Sequence, residues 1–398
     1  MTRTPEPWTP AARGALPAMR AWRVAFHQEP ELSGEERRTK DKVVSALNEL
    51  GISHQTFDGF TGVVGMIPGN ADRPVVALRA DMDGLPVTEE TKLPYQSRFP
   101  GRMHACGHDV HMSCLLGAAA ILTRGGRRPA GPVKLLFQPS EEEGRRGGAL
   151  PLIERGCLDH PKVDYVVGQH VEPNLPLGNV GWRAGPFMAA ADFFRVIVRG
   201  RGGHAASPHQ GPDAIVVASE IVNGLQALVS RVRDPLDPVV VSVGSIHGGT
   251  RNNILPSEVV LEGTVRTFRP ATRDLIDRVF HRRVRSLAAS LGARVRIDYQ
   301  RGYPTLVNSP EATAVVSDAL RAEFGANHCI HVPEPVMGAE DFSRYLERVP
   351  GTFLHLGVGV PGRPASLHSA TFAPDERALI IGAATLAAAA DALQRNAP

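Results

Sequence analysis

An α/β fold carrying an inserted α+β domain is what this sequence predicts, and three observations predict it. Short, nearly continuous apolar runs, PVVALRAD (74–81), VKLLFQPSEE (133–142), VDYVVGQH (163–170) and TFLHLG (352–357), read as strands buried on both faces of a mostly parallel sheet. An Ala/Leu-rich helix over 112–123 separates the first two, which is the alternation of a doubly wound sheet. Near Ala191 the texture changes to half-exposed strands, as in a sheet open on one face.

In chain order, residues 18–50 read as largely helical, because Val43, Val44, Leu47 and Leu50 recur at helical spacing and Gly51 supplies a stop. The strands and helix already named follow. From Asp192 the pattern runs strand 192–200, helix 213–232, strands 239–246 and 259–268, helix 271–291 and strand 294–300. That order, strand-helix-strand-strand-helix-strand, describes a compact α+β unit. The α/β texture returns from Pro304, and the alanine-rich 378–390 reads as a packed terminal helix. The expected division is 1–190 with 303–398 as one split domain and 191–302 as the insert.

Composition narrows the function classes. The net charge of +3 is spread along the chain, with Arg greatly outnumbering Lys and no basic stripe interleaved with aromatics, so no nucleic-acid partner is expected. The pairs Arg127-Arg128 and Arg145-Arg146 lie in glycine-rich contexts and read as solvated loops. Cys106, Cys114, Cys157 and Cys329 show no paired spacing, which favours a reducing compartment. The N-terminus lacks a signal-peptide core, and no apolar run reads as a membrane span. The expectation is a cytoplasmic protein with no membrane partner.

The chemistry concentrates at the predicted strand ends. Asp81 and Asp83, Glu141 and Glu142, and His170 follow three of the strands. In open α/β sheets ligands bind at the carboxyl ends of strands, so these groups converge if the strands are parallel neighbours. GRMHACGHDVH (101–111) adds a thiol beside imidazoles. Cys106 and His108 suit zinc or a similar divalent ion, and Gly107 lets the backbone bend between them. Taken alone, the pair reads equally well as a redox-silent cysteine beside surface histidines. Cys106 as a nucleophile activated by His108 is also open. A serine hydrolase is disfavoured, since no GxSxG elbow occurs. His104 and His111 read as supporting or helix-end histidines, His355 as a core histidine, and the other cysteines as packed thiols.

Eight motifs in one order, LRADMDGLPVTE, GRMHACGHDVHM, LLFQPSEE, GQHVEPNLPLG, GRGGHAASPH, NNILPSEVVLEGTVRTF, MGAEDFSRYL and LHSATFAPDE, carry a family resemblance over nearly the whole chain. The sequence resembles the amidohydrolase branch of the dinuclear metallopeptidases, which includes aminoacylases, hippurate hydrolases and indole-acetyl-amino-acid hydrolases. The resemblance implies a zinc-peptidase-like catalytic domain and a lid/dimerisation insert through which a homodimer or larger assembly forms. It implies two divalent metal ions per subunit (zinc or manganese, with cobalt able to substitute in vitro), bridged by Cys106 and completed by His108, Glu142, His170 and His368. Glu141 would be general base and then acid toward a metal-bridged water, and Asp83 would orient a metal ligand. His204, Asn253 and Arg266 would bind the substrate, an N-acyl amino acid or short peptide. For Arg266 a structural salt bridge is an equal reading. Ser140, where alanine is common in that family, and Glu143 are departures, and a shift of one along the three acids would change the base. The alternative function is a catalytically silent, small-molecule-binding homologue of the same fold.

Overall fold

The computed structural model describes residues 7–124, 128–360, 362 and 366–396. Arg127 lies outside the described residues, while Arg128, Arg145 and Arg146 are exposed as expected. Two compact units emerge, one of Met1–Phe187, Val307–Glu334 and Asp341–Pro398, the other of Met188–Leu306 and Pro335–Glu340.

The first unit begins with helices α1 (Thr9–His27) and α2 (Arg37–Glu49), not the single helical stretch expected over 18–50. Pro30 removes an amide donor and pushes Glu29 away from helical geometry, and Gly34 takes a left-handed φ of 81°, so residues 28–36 form a loop. Strands β1 (Ser53–Phe57), β2 (Phe60–Ile67) and β3 (Val76–Asp81) follow, then α3 (His108–Arg124), which begins at His108, four residues before the expected start. Next come β4 (Val133–Gln138), a single 3₁₀ turn over Glu141–Glu143, α4 (Ala149–Glu154), β5 (Tyr165–Pro176), β6 (Val180–Trp182) and β7 (Gly185–Met188).

The second unit contains β8 (Ala190–Arg199), β9 (Gly203–His204), α5 (Ala214–Ala227), β10 (Val239–His247), β11 (Ile254–Leu255), β12 (Glu258–Thr267), α6 (Pro270–Ser290) and β13 (Arg294–Arg301). Its four-stranded sheet has the order β10-β12-β8-β13, with neighbours antiparallel. Phe194, Val196 and Val198 of β8 point into a core shared with Ile221 and Leu225 of α5 and Phe280 of α6, while Arg195 and Arg199 are exposed. This is period-two alternation over one buried face.

The chain returns through β14 (Leu306–Asn308), α7 (Pro310–Phe324), β15 (Cys329–His331), α8 (Ser343–Leu346), β16 (Gly351–Gly359) and α9 (Ala378–Arg395). The large sheet of the first unit has the order β1-β2-β4-β3-β5-β16-β6-β15. The pairs β4/β3, β3/β5 and β5/β16 are parallel, whereas β1/β2 and β2/β4 are antiparallel. Every residue of β3 and β4 is buried, as their nearly continuous apolar runs predict. By length and apolarity two helical stretches, Ala214–Val232 and Ala378–Arg395, are long enough to cross a membrane, which corrects the expectation that none would be. The second of these is 83% buried inside its unit, as a core helix is.

Candidate metal centre

Strands β4, β3 and β5 are adjacent and parallel, so the convergence of polar groups at their carboxyl ends is geometric fact. Asp81 ends β3, and Asp83 lies two residues beyond it. His170 does not end its strand, since β5 runs to Pro176, but pairing with β3 stops at Gly168 and leaves His170 just past that edge. After β4 the chain turns sharply at Ser140, whose φ of 59° is left-handed, and enters the Glu141–Glu143 turn. His108 opens α3 after Gly107, whose φ of 80° only glycine adopts without strain.

Five side chains then meet. Cys106 Sγ lies 3.3 Å from His170 Nε2, and His368 Nε2 lies 3.2 Å from Glu142 Oε1, with His108 Nε2 3.9 Å from the same oxygen. The ligand atoms of Cys106, His108 and His170 all fall within 4.8 Å of one another, and so do those of Cys106, Glu142 and His368. Cys106 belongs to both groups. Glu141 is buried, and its carboxylate forms a further group of the same dimension with His108 and Glu142. Glu143 points elsewhere: its exposed carboxylate accepts from the amides of Arg145, Arg146 and Gly147. Of the three acids, Glu141 and Glu142 face the cluster and Glu143 does not.

The supporting bonds fix which ring nitrogens are free. His170 Nδ1 lies 2.8 Å from the Val171 carbonyl oxygen, so Nδ1 carries the proton and Nε2 presents a lone pair toward Cys106. Asp83 is buried and accepts at both oxygens. Oδ1 faces the Glu141 amide at 3.1 Å and His108 Nδ1 at 3.3 Å; Oδ2 takes the Glu142 amide at 2.9 Å and the Ser33 hydroxyl at 2.7 Å. One carboxylate thus ties together His108, the glutamate turn and the loop before α2. Asp81 accepts from His111 Nδ1 at 2.6 Å and from Arg79 at 2.7 Å, and the Val171 amide donates to His111 Nε2 at 2.9 Å. His111 is therefore a neutral bridge between β3 and β5, and burial pushes its pKa down to about 4. Arg79 also reaches Asp341, which receives the amides of Gly148 and Ala149. His355 is buried against Phe187, with ring centres 4.3 Å apart, as a core histidine.

The donor set fits divalent cations. Burial opposes a charged His108, yet Asp81, Asp83 and Glu142 outweigh it and carry its pKa to about 10, the signature of a pocket short of positive charge. Burial, then Glu142 and Glu141, pushes the Cys106 thiol well up, so a cation is the counter-charge that would let it ionise. Thiolate, imidazole and carboxylate together suit zinc and also admit manganese.

His204, Asn253 and Arg266 lie in the second unit. His204 and Asn253 are exposed, on and beside the small β9/β11 ribbon, and the Ala205 amide donates to the Asn253 carbonyl at 3.1 Å. Arg266, on β12, is partly buried, and its side chain forms no hydrogen bond or ion pair among the described residues. Burial lowers its pKa, and the nearby Asp192 is already engaged by Arg273 and Tyr299. The salt-bridge reading of Arg266 is not what the structure contains. Sequence reasoning missed Ser33, Glu36 and Arg79. The breakers Pro30 and Gly34 inside an expected helix were the available signal for the first two.

This geometry, a ligand cluster with an adjacent buried glutamate at the rim of a mostly parallel sheet, defines a metal-dependent hydrolase. The chain belongs to peptidase family M20/M25/M40, whose profile matches residues 77–392. It is 41% identical over 355 residues to an N-acetyl-L-cysteine deacetylase of Bacillus subtilis, covering 89% of this chain and 83% of that protein. It is 40% identical over 365 residues to thermostable carboxypeptidase 1 of Saccharolobus solfataricus, covering 91% of each. Among solved structures, the Bacillus subtilis YXEP protein, described as a dinuclear metal binding peptidase, superposes with a TM-score of 0.81 at 32% identity over 96% of this chain and 99% of that one.

Proposed function

We propose that this protein is an amidohydrolase that cleaves the amide bond of N-acyl amino acids or related short peptides. The observation that carries this reading is the buried Glu141 carboxylate beside the Cys106, His108, Glu142, His170 and His368 cluster. Cys106 would be shared between two divalent ions, with His108, Glu142, His170 and His368 completing their shells. Bound there, such ions supply acidified water and a polarised carbonyl. Glu141 takes the proton of the attacking water and returns it to the leaving amine, as a carboxylate in hydrogen-bond reach can. Asp83 holds His108 and the two glutamate amides in place. Relatives named for deacetylase and carboxypeptidase activity support this substrate class.

The second unit supplies His204, Asn253 and Arg266 as substrate-binding residues. A partly buried guanidinium with no ion pair among the described residues, its neighbour Asp192 already held by Arg273 and Tyr299, favours a carboxylate, which every N-acyl amino acid carries. The same unit is assigned the lid and dimer contacts, and the protein is assigned to the cytoplasm. A panel of N-acyl amino acids assayed with zinc-, manganese- and cobalt-loaded enzyme tests the reading. Glu141→Gln should retain metal and lose about 10²- to 10⁴-fold in kcat. Unchanged turnover in that variant, or full activity after chelation, would refute it.

A further inference from the structure

Ser140 holds φ 59° and ψ 37°, a left-handed conformation that a residue with a Cβ adopts reluctantly. Glu141 and Glu142 owe their directions to that turn. Asp83 accepts the amides of Glu141 and Glu142, but the Ser140 amide goes elsewhere. It donates to Glu36 Oε1 at 2.9 Å, with the Ser140 hydroxyl 3.3 Å from the same oxygen.

Glu36 stands 104 residues upstream of Ser140, at the foot of α2, and is wholly buried. Its other bonds come from neutral donors, the Gly34 amide to Oε1 at 2.9 Å and the Thr61 hydroxyl to Oε2 at 2.8 Å. Burying a carboxylate without a cation is costly, and here the charge of Asp83 adds to the cost of burial and raises the Glu36 pKa. A lone helix cap would not require it. A carboxylate at this place does one thing a smaller cap could not: it gathers the loop before α2, β2 and the Ser140 amide onto one rigid acceptor. The amides of Ser140, Glu141 and Glu142 are then all held by two buried carboxylates from distant parts of the chain.

We propose that Glu36 is a positioning residue for the reaction, fixing Ser140 in its left-handed conformation and so aiming Glu141 at the substrate water and Glu142 at the metals. This rests on the reading of Glu141 as the base and Glu142 as a ligand. The test compares Glu36→Ala, Glu36→Gln and Glu36→Asp, each alone and with Ser140→Gly. Metal affinity is measured by chelator competition, and kcat and KM per metal-loaded site on an N-acyl amino acid that the wild type cleaves.

Glu36→Ala should lower kcat by about 10- to 100-fold, the worth of a charged hydrogen bond, and leave KM within about threefold. It should also weaken metal binding several-fold. Glu36→Gln can still accept the Ser140 amide while its NH₂ donates to Thr61, so it should keep at least about a third of kcat. Ser140→Gly, which reaches φ 59° without strain, should restore kcat several-fold in the Glu36→Ala background and give no such gain in the wild type. If Glu36→Ala does not fold, Glu36→Asp, with the same charge one methylene short, carries the same expectation. Wild-type kcat and metal affinity in the Ala or Asp variant overturn the proposal, as does a loss that Ser140→Gly does not repair. A wild-type enzyme that binds metal yet cleaves no panel member refutes the proposed function instead, and the metal-affinity arm still decides Glu36.

Discussion

Replacing Asp83 with Asn is the most direct test of how the metal cluster is held. The side chain keeps its shape, but one acceptor oxygen becomes a donor. Asp83 faces four donors, two on each oxygen: the Glu141 amide and His108 Nδ1 on one, the Glu142 amide and the Ser33 hydroxyl on the other. The hydroxyl can rotate and accept, but a backbone amide cannot. In one amide orientation Glu142 N–H loses its partner, and in the other Glu141 N–H and His108 Nδ1 lose theirs. A buried amide left without an acceptor costs about 1–3 kcal/mol. Loss of the carboxylate that orients His108 should weaken metal binding by about 10- to 100-fold. The expected outcome is a lower metal affinity by chelator competition and a reduced kcat at saturating metal, with secondary structure unchanged by circular dichroism. An Asp83→Asn enzyme that titrates metal like the wild type and keeps its kcat would refute the reasoning.

Two further outcomes follow from the same neighbourhood. At Gly107 a Cβ would sit 2.6 Å from Val171 Cγ2 and would have to tolerate φ 80°, so Gly107→Ala should destabilise the first unit by about 2–4 kcal/mol in urea unfolding; a loss under about 0.5 kcal/mol would show that the turn relaxes freely. His27 is buried between Asp109 and Glu89, each 3.0 Å from one ring nitrogen; burial works against the charged ring, but the two carboxylates outweigh it and hold its pKa at about 9. Its contribution is complete below the unfolded value near 6.5 and is lost as pH rises through about 9, a change of up to about 3 kcal/mol, so His27→Gln should flatten the fall in stability over that window. An identical pH dependence in the variant would exclude His27 as its source.

The strands were legible because a buried parallel strand writes itself as a nearly continuous apolar run, and part of the candidate site because polar groups gather where such runs end. Asp81, Asp83, Glu141, Glu142 and His170 could be named from that pattern, whereas Cys106 and His108 came from the thiol-imidazole cluster of 101–111 and were told apart from a silent cysteine only by the family resemblance. Other features were invisible for a physical reason. Arg79 bonds to Asp341, 262 positions away, and nothing local to either residue announces a pairing that only the sheet order creates. The β5 boundary slipped because the strand continues past His170 along β16 after its pairing with β3 has ended.

The loop over residues 28–36 is the instructive case. A helical period over 43–50, carried back across the whole of 18–50, hid a Pro-Gly break whose residues then supply Ser33 to Asp83 and Glu36 to Ser140. Three adjacent acids, Glu141 to Glu143, could not be told apart by sequence because their environments, not their spacing, separate them. Asp83 and Glu36 hold the backbone of the turn, the first two side chains enter the cluster, and the third turns out to cap the amides that follow. If that is why one glutamate is base and the next a ligand, then moving the turn should exchange or abolish their roles without touching either carboxylate. A Ser140→Pro variant tests this. Proline cannot reach φ 59° and has no amide for Glu36, so it should lose both activity and metal while Glu141 and Glu142 remain in place in the sequence. Retention of either in a folded Ser140→Pro enzyme would mean that the two glutamates find their places without the turn.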